Sequence, residues 1–314
     1  MPIVFVMGYV PVTVMTKMSN KTGFRSSFVP VVVVLCVIVL IWYASAVVLN
    51  LPWQKDVFKR ADNTDYSVVE LVSGTMSQER PVLPSPHQVA QEVYKTTILK
   101  KITSKRSLIF HSSVTLSSAL LGFALGTLLG IVLAVLIVYN RALNKSLMPW
   151  VIASQTIPIL AVAPMIIVVL NAIGIQGLLP KAFISMYLSF FPVVVGMVKG
   201  LNSPDISHND LMRTYNASAA QTFWKLRLPT SLPYLFTSMK VAVAIAMVGA
   251  IVAELPTGAV AGLGARLLAG SYYGQTIQIW SALVMASLLA ALLVVTIDLI
   301  GKLVNRRMGL TQHG

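Results

Sequence analysis

The sequence predicts an all-α membrane protein with about six transmembrane helices. The chain of 314 residues is 56% hydrophobic and only 11% charged, whereas soluble domains carry about 25% charged residues. Stretches without Asp, Glu, Lys or Arg recur along it, and four of them exceed the roughly 20 residues that a helix needs to cross a bilayer. These observations exclude a water-soluble globular domain.

The uncharged stretches locate the helices in order. They cover residues 26–54, 107–140, 146–180, 182–198 and 267–297. A sixth and weaker candidate contains Lys240, whose side chain is tolerated if it lies near a helix end. We therefore expect spans near residues 29–49, 113–139, 149–171, 181–199, 235–254 and 277–300.

The excess of basic residues, 24 against 10 acidic ones, follows the pattern of a membrane protein and not of a nucleic-acid-binding protein. Lys and Arg lie at the ends of apolar runs, not on one polar face. They concentrate near both termini and in the loop 200–234, and the positive-inside rule predicts that these parts are cytoplasmic. The opposite segment 50–112 holds nine basic residues, but long loops translocate largely regardless of charge.

The predicted organisation has five parts. They are a cytoplasmic N-terminal segment (1–25), the first transmembrane helix (26–50), an extracytoplasmic segment with an amphipathic helix (51–112), a five-helix core that includes the loop 200–234 (113–305), and a cytoplasmic tail (306–314).

The amphipathic helix is predicted from its start signals. Ser85 is the expected N-cap, Pro86 the first helical residue and Gln88 the capping-box partner, and the helix is expected to run to about Lys105. Its apolar positions are Val89, Val93, Ile98 and Ile102. This pattern favours a helix at the membrane interface over a plain surface helix.

The second span carries a small-residue repeat, Gly122, Gly126 and Gly130. Small residues at a spacing of four let another helix approach closely in lipid. We favour packing within one chain over packing between two copies.

The third span contains three prolines, of which Pro158 and Pro164 lie in its interior, and the polar residue Gln155. A broken helix at membrane depth faces either protein or a water-filled cavity, because its freed backbone groups need partners. Gln155, Pro158 and Pro164 are therefore candidate pathway residues. A kinked packing helix is the alternative.

Two acidic residues lie in or beside the last two spans. Asp298 has Lys302 four residues later, which favours a local ion pair. Glu254 ends the fifth span before a Pro- and Gly-rich loop, and a carboxylate at the mouth of a span is a functional-site hypothesis. It is a candidate pathway or gate residue, with hydrogen bonding at the helix end as the alternative.

The loop 208–229 is the most informative part of the chain. Its periodicity predicts two short helices that are separated by a break near Asn216 and ended by Pro229. Asn tolerates the left-handed conformation better than any residue except Gly. Pro229 and Pro233 are expected to set the start of the fifth span.

This loop resembles the one by which permeases of binding-protein-dependent ABC importers engage their ATPase. The family pattern has an acidic residue and two small residues, then a glycine, then an apolar residue followed by proline. Leu211-Met212 replaces the small pair, and Asn216 replaces the glycine. The resemblance assigns ATPase coupling to Asp210, Arg213, Tyr215, Asn216, Ala217, Ser218, Phe223, Leu228 and Pro229.

The resemblance extends over about residues 83–305. Ile157-Pro158, Leu83-Pro84-Ser85-Pro86 and Ala253-Glu254 followed by Gly262-Leu263-Gly264 are similar to the subfamily that handles nitrate, sulfonates, taurine and some pyrimidine- or flavin-type precursors. It implies a type I importer permease fold, a permease homodimer in the cytoplasmic membrane, a cytoplasmic ABC ATPase dimer and an extracytoplasmic binding protein.

The chain itself carries no signal of an enzyme. No segment fits the phosphate-binding pattern G-x-x-x-x-G-K-[ST], so ATP hydrolysis is expected from a separate subunit. The single cysteine, Cys36, and the four histidines form no cluster that predicts a metal, and no cofactor is expected. The alternative function is an ion-coupled secondary transporter, which would place acidic residues inside the spans and often repeat internally.

Overall fold

The structure, a computed structural model, describes residues 24–62, 65–255 and 259–309, and no strand occurs within these ranges. Residues 1–23 of the predicted N-terminal segment and residues 310–314 of the predicted tail lie outside the described residues. The helices, in chain order, are α1 (Phe24–Arg60), α2 (Val68–Met76), α3 (Pro86–Tyr94), α4 (Leu108–Tyr139), α5 (Arg141–Ala153), α6 (Ile159–Ala172), α7 (Leu178–Leu201), α8 (Ile206–Thr214), α9 (Ala219–Thr222), α10 (Leu228–Glu254), α11 (Leu263–Tyr272) and α12 (Thr276–Arg307). π-helical turns follow α3 (Lys95–Leu99) and α9 (Phe223–Arg227), and a 3₁₀ turn follows α5 (Ser154–Thr156).

Five of the described helical segments are long and apolar enough to cross a membrane, and α5 and α6 together make a sixth, bent candidate. The third span, expected near 149–171, is broken, as its interior prolines predicted: α5 and α6 meet at 101°. The cause is local: Pro158 cannot donate a backbone hydrogen bond and forces Ile157 into an extended conformation, with φ −76° and ψ 121°. With the bent pair counted as one span, the described residues contain six candidate membrane spans, the number predicted.

The first helix is longer than the predicted span, since α1 continues past residue 50 to Arg60. Its C-terminal part is held by Asn50, which is fully buried. The amide of Asn50 donates to the carbonyl of Leu83 at 2.8 Å, and its Oδ1 accepts from the backbone N–H of Val82 at 2.8 Å. These bonds fasten α1 to the chain that leads into α3.

The helix α3 begins as predicted, and Ser85 and Gln88 form a capping box. The predicted end near Lys105 is wrong, because the π-helical turn ends at Leu99 and Lys100 is extended. Val89 is buried, whereas Ile98 and Ile102 are about two-thirds exposed.

The centre of the molecule is a close-packed group of α4, α7 and α10. The three glycines of the α4 repeat face α7, and a Cβ atom at Gly122 or Gly126 would overlap Ser185 or Ser189. The prediction of packing within the chain is therefore confirmed. Ser185 also donates a hydrogen bond to the carbonyl of Ala246 on α10, at 3.0 Å.

The last helix is tied to α10 by an ion-pair network. Asp298 accepts from Lys302 at 2.7 Å, as predicted, and also from Lys240 at 2.8 Å. The second pair explains why a lysine is tolerated within the fifth span, since its charge meets a carboxylate on the neighbouring helix.

Candidate functional site

The Asn216 turn has the predicted left-handed conformation, with φ +51°. It ends α8 in a Schellman motif: Ala217 N–H donates to Met212 O at 2.9 Å and Asn216 N–H donates to Arg213 O at 2.8 Å. Two carbonyls at the end of α8 are satisfied in this way, so the direction in which the chain leaves the helix is fixed.

The second part of the loop differs from the prediction. Ser218 caps α9 in a capping box with Gln221, but Pro229 does not end the helix. α9, the π-helical turn and α10 form one continuous segment, Ala219–Glu254. The wider π-helical turn, in which Leu228 N–H donates to Phe223 O, precedes Pro229 and accommodates its missing N–H.

Several loop residues are exposed at what we call the loop end, the end of the bundle where the π-helical turn after α9 contacts Tyr139 at the C-terminus of α4. Asp210 and Arg213 form an exposed ion pair at 3.6 Å. Tyr215 is 76% exposed and Trp224 is 66% exposed. Trp224 was missed by the sequence reasoning, although its neighbour Phe223 was named.

Phe223 is directed toward the bundle and not outward. Its ring meets Tyr139 edge-on, with centroids 5.8 Å apart, and the guanidinium of Arg227 lies 5.6 Å from the centre of the same Tyr139 ring. Leu228 packs against the core, and Ala217 and Pro229 are half-buried. The predicted coupling residues thus form two groups. Some pack the loop against the bundle, and others have exposed side chains that a partner can contact.

The break between α5 and α6 leaves polar groups uncovered. Gln155 and Pro158 are exposed, and Pro164 is half-buried inside α6. The hydroxyl of Tyr187 on α7 donates to the carbonyl of Ser154 at 2.5 Å, which satisfies one backbone group freed by the turn.

Glu254 lies at the opposite end of the bundle and is fully buried. Its Oε2 accepts from Gly264 N–H at 2.8 Å, and the Thr115 hydroxyl lies 3.0 Å from both carboxylate oxygens. The Lys181 ammonium lies 4.0 Å from Oε1 and also 3.5 Å from the carbonyl of Ala261. The Lys181–Ala261 contact holds the loop that precedes α11, and the Glu254–Gly264 bond holds the first turn of α11.

His111 fastens the same loop from α4. Gly262 N–H donates to Nδ1 at 3.0 Å, so the proton of the neutral ring lies on Nε2, which donates to Lys105 O at 2.9 Å. Gly262 has φ +127°, and a Cβ atom there would overlap the Glu254 carboxylate. We call Glu254, Thr115, Lys181 and His111 the Glu254 clamp.

Sequence reasoning named only Glu254 of the clamp. The other members come from two helices, α4 and α7, and the polar residues near the start of the second span were the available signal. Within the part of the chain that the structure describes, no group of three or more His, Cys, Asp or Glu side chains is arranged to hold a metal ion.

Comparison with known proteins gives the family. The family of binding-protein-dependent transport system inner membrane components matches residues 126–310, more than half of the chain. The chain is 33% identical over 198 residues to the formylaminopyrimidine transport permease ThiX of Halalkalibacterium halodurans, which covers 63% of this chain and 74% of the relative. It is 31% identical over 225 residues to the riboflavin transport system permease RibX of Chloroflexus aurantiacus, which covers 72% and 80%.

A more distant relative is the putative aliphatic sulfonates transport permease SsuC of Bacillus subtilis, 24% identical over 226 residues that cover 72% of this chain and 78% of the relative. These matches confirm the resemblance drawn from the coupling loop and set aside the ion-coupled transporter. The chain is accordingly a multi-pass transport subunit and not an enzyme, and its family implies an ATPase and a substrate-binding protein as partners. It belongs to the binding-protein-dependent transport system inner membrane components, the permease subunits of ABC importers.

Proposed function

We propose that the loop 207–228 docks on a cytoplasmic ATPase dimer and transmits its closure to the membrane helices. The observation that carries this proposal is the unbroken helix from Ala219 to Glu254. A displacement of α9 passes directly into α10, because the helix is continuous between them, and α8 joins α9 through the turn at Asn216. The Lys240–Asp298 pair then extends the movement to α12, and the close packing of α10 with α7 extends it to the core.

We infer that the contact with the ATPase is made chiefly by the exposed rings of Tyr215 and Trp224. Large exposed aromatic side chains at the loop end are suited to bury themselves in a partner's groove. Asp210 and Arg213 form an exposed ion pair at the loop end, and each can pair with an opposite charge of the ATPase instead. Phe223 lies between this surface and the bundle.

We propose further that the solute passes beside the α5–α6 break, at the contact between two copies of the chain. Gln155 supplies an exposed polar group there. Pro158 lies at the bend between α5 and α6, and Pro164 lies within α6. The outer face of α6 is apolar and about two-thirds exposed at Met165, Val168 and Ile173, which suits a second copy. The Glu254 clamp holds the loop before α11 at the far end of this pathway.

The substrate class that fits this wall is a small uncharged heterocycle. Residues 146–180, which include the break, contain no Asp, Glu, Lys or Arg, so no charge in them compensates an anion. Two relatives above 30% identity are named for a formylaminopyrimidine and for riboflavin. Identification of the ligand carried by the partner binding protein tests this assignment.

Site-directed crosslinking tests the docking proposal. In a chain with Cys36 replaced by Ser, Tyr215→Cys is expected to crosslink to the ATPase in membranes. Val68→Cys is the matched control, because Val68 is 75% exposed but lies on α2, toward the other end of the bundle. Crosslinking at Val68, or labelling of Tyr215→Cys only by reagents added outside the cell, would overturn both the docking surface and the cytoplasmic orientation.

A further inference from the structure

A polar cavity of about 380 Å³ lies at the end of the bundle that holds Glu254, between the π-helical turn after α3, the loop before α4, α11 and the start of α12. None of its lining residues belongs to α5, α6 or α7, so it is separate from the pathway proposed above. Three basic side chains, Lys100, Arg106 and Arg266, line it together with a single carboxylate, Glu92.

The charges in this cavity are not balanced by the chain. Arg266 is half-buried, and its Nε atom is buried without a hydrogen-bond partner in the described part of the chain. Burial lowers the pKa of Arg266, the nearby carboxylate of Glu92 raises it, and the positive charge of Arg106 lowers it again. A guanidinium that is desolvated beside another cation needs a negative partner.

Hydrogen bonds connect the segments that carry the basic residues. His111 accepts from Gly262 N–H and donates to Lys105 O, so it links the loop that carries Lys100 and Arg106 to the start of the helix that carries Arg266. On the other side, Gln275 N–H donates to Gly270 O at 2.8 Å and fixes the turn from α11 into α12. These bonds fix the segments that line the cavity.

The geometry points to a binding site for a phosphate-type oxyanion in this cavity. Arginine forks match the oxygens of a phosphate group, and the amides of Gln275 and Gln278 on the cavity wall supply neutral donors. The site lies where α12 begins, at the level expected for lipid headgroups. Ile98 and Leu99, each 65% exposed on the same π-helical turn, give it an apolar border. The phosphate can accordingly come from an anionic phospholipid headgroup or from free phosphate.

Binding can be measured on the assembled importer. Thermal unfolding is followed in detergent with inorganic phosphate against chloride at equal ionic strength, and in nanodiscs of phosphatidylcholine with or without phosphatidylglycerol. The test variant is Lys100→Gln with Arg106→Gln. The matched control is Lys101→Gln with Lys105→Gln, which removes two exposed charges from the same loop without touching the cavity lining.

We expect stabilisation of the wild type and of the control by phosphate, by phosphatidylglycerol or by both, and binding at least about tenfold weaker in the test variant. A response to inorganic phosphate identifies a free-anion site, and a response to phosphatidylglycerol alone identifies a lipid site. Equal losses in both double variants would mean nonspecific attraction and would overturn the proposal. No response of the wild type to either additive would overturn it as well.

Discussion

Asn216 occupies a backbone conformation that strongly restricts its replacement. Its φ of +51° lies in the left-handed region, where a β-branched residue is strained by about 1–2 kcal/mol. We expect Asn216→Gly to preserve substrate-stimulated ATP hydrolysis in the reconstituted importer, and Asn216→Val to reduce it, because α8 would lose its Schellman end. Equal activity of the two variants would show that the turn does not determine coupling.

Gly262 combines a positive φ with close contact to the Glu254 carboxylate. Gly174 also has a positive φ, +83°, but open space around it, so Gly174→Ala is the comparison in which an added Cβ meets no neighbouring group. Gly262→Ala should destabilise the permease by about 1–3 kcal/mol more than Gly174→Ala, because the added methyl group displaces Glu254 from Gly264 and Thr115. Thermal unfolding of the two purified variants measures the difference, and similar losses would contradict the clamp geometry.

At the scale of the helices, the apolar runs predicted the number of spans because a bilayer fixes the minimum length of each. The interior prolines of the third span indicated a broken or kinked helix, but the apolar pattern could not give the 101° angle at Pro158, since one uncharged run covers both α5 and α6. The prediction that Pro229 ends a helix was wrong, because proline is compatible with the first turn of a helix. The π-helical turn before Pro229 keeps the helix continuous. Likewise, the sequence indicated Glu254 but not its partners, because they come together only through tertiary packing.

The pairing of α10 with α12 gives the element-scale prediction. Lys302 lies on the same helix as Asp298 and its side chain is 74% exposed, whereas Lys240 reaches Asp298 from α10. Lys302→Gln is therefore expected to leave coupling close to wild type. Lys240→Gln should lower substrate-stimulated ATP hydrolysis severalfold with assembly intact. If the two variants behave alike, the link between helices does not transmit the movement.

Across the whole molecule, the two ends of the bundle are built differently. The loop end carries exposed aromatic side chains and an exposed ion pair, and its helix continues into the core. At the other end, the clamp buries its carboxylate and satisfies it with hydrogen bonds from within the chain. This difference suits a permease in which one end receives force from a partner and the other holds a loop in a fixed position until α10 moves.

The apolar face of α6 leads to a prediction about the assembly. Val168 on this face and Leu128 on α4 are 67% and 61% exposed, so both are accessible in one chain. With Cys36 replaced by Ser, oxidation of Val168→Cys should give a disulfide-linked dimer of the permease in membranes, because the proposed contact between two copies would bring the two Val168 positions together near a two-fold axis. Leu128→Cys should stay monomeric, since that surface is expected to face lipid. A dimer that forms through Leu128 and not through Val168 would move the pathway away from the α5–α6 break.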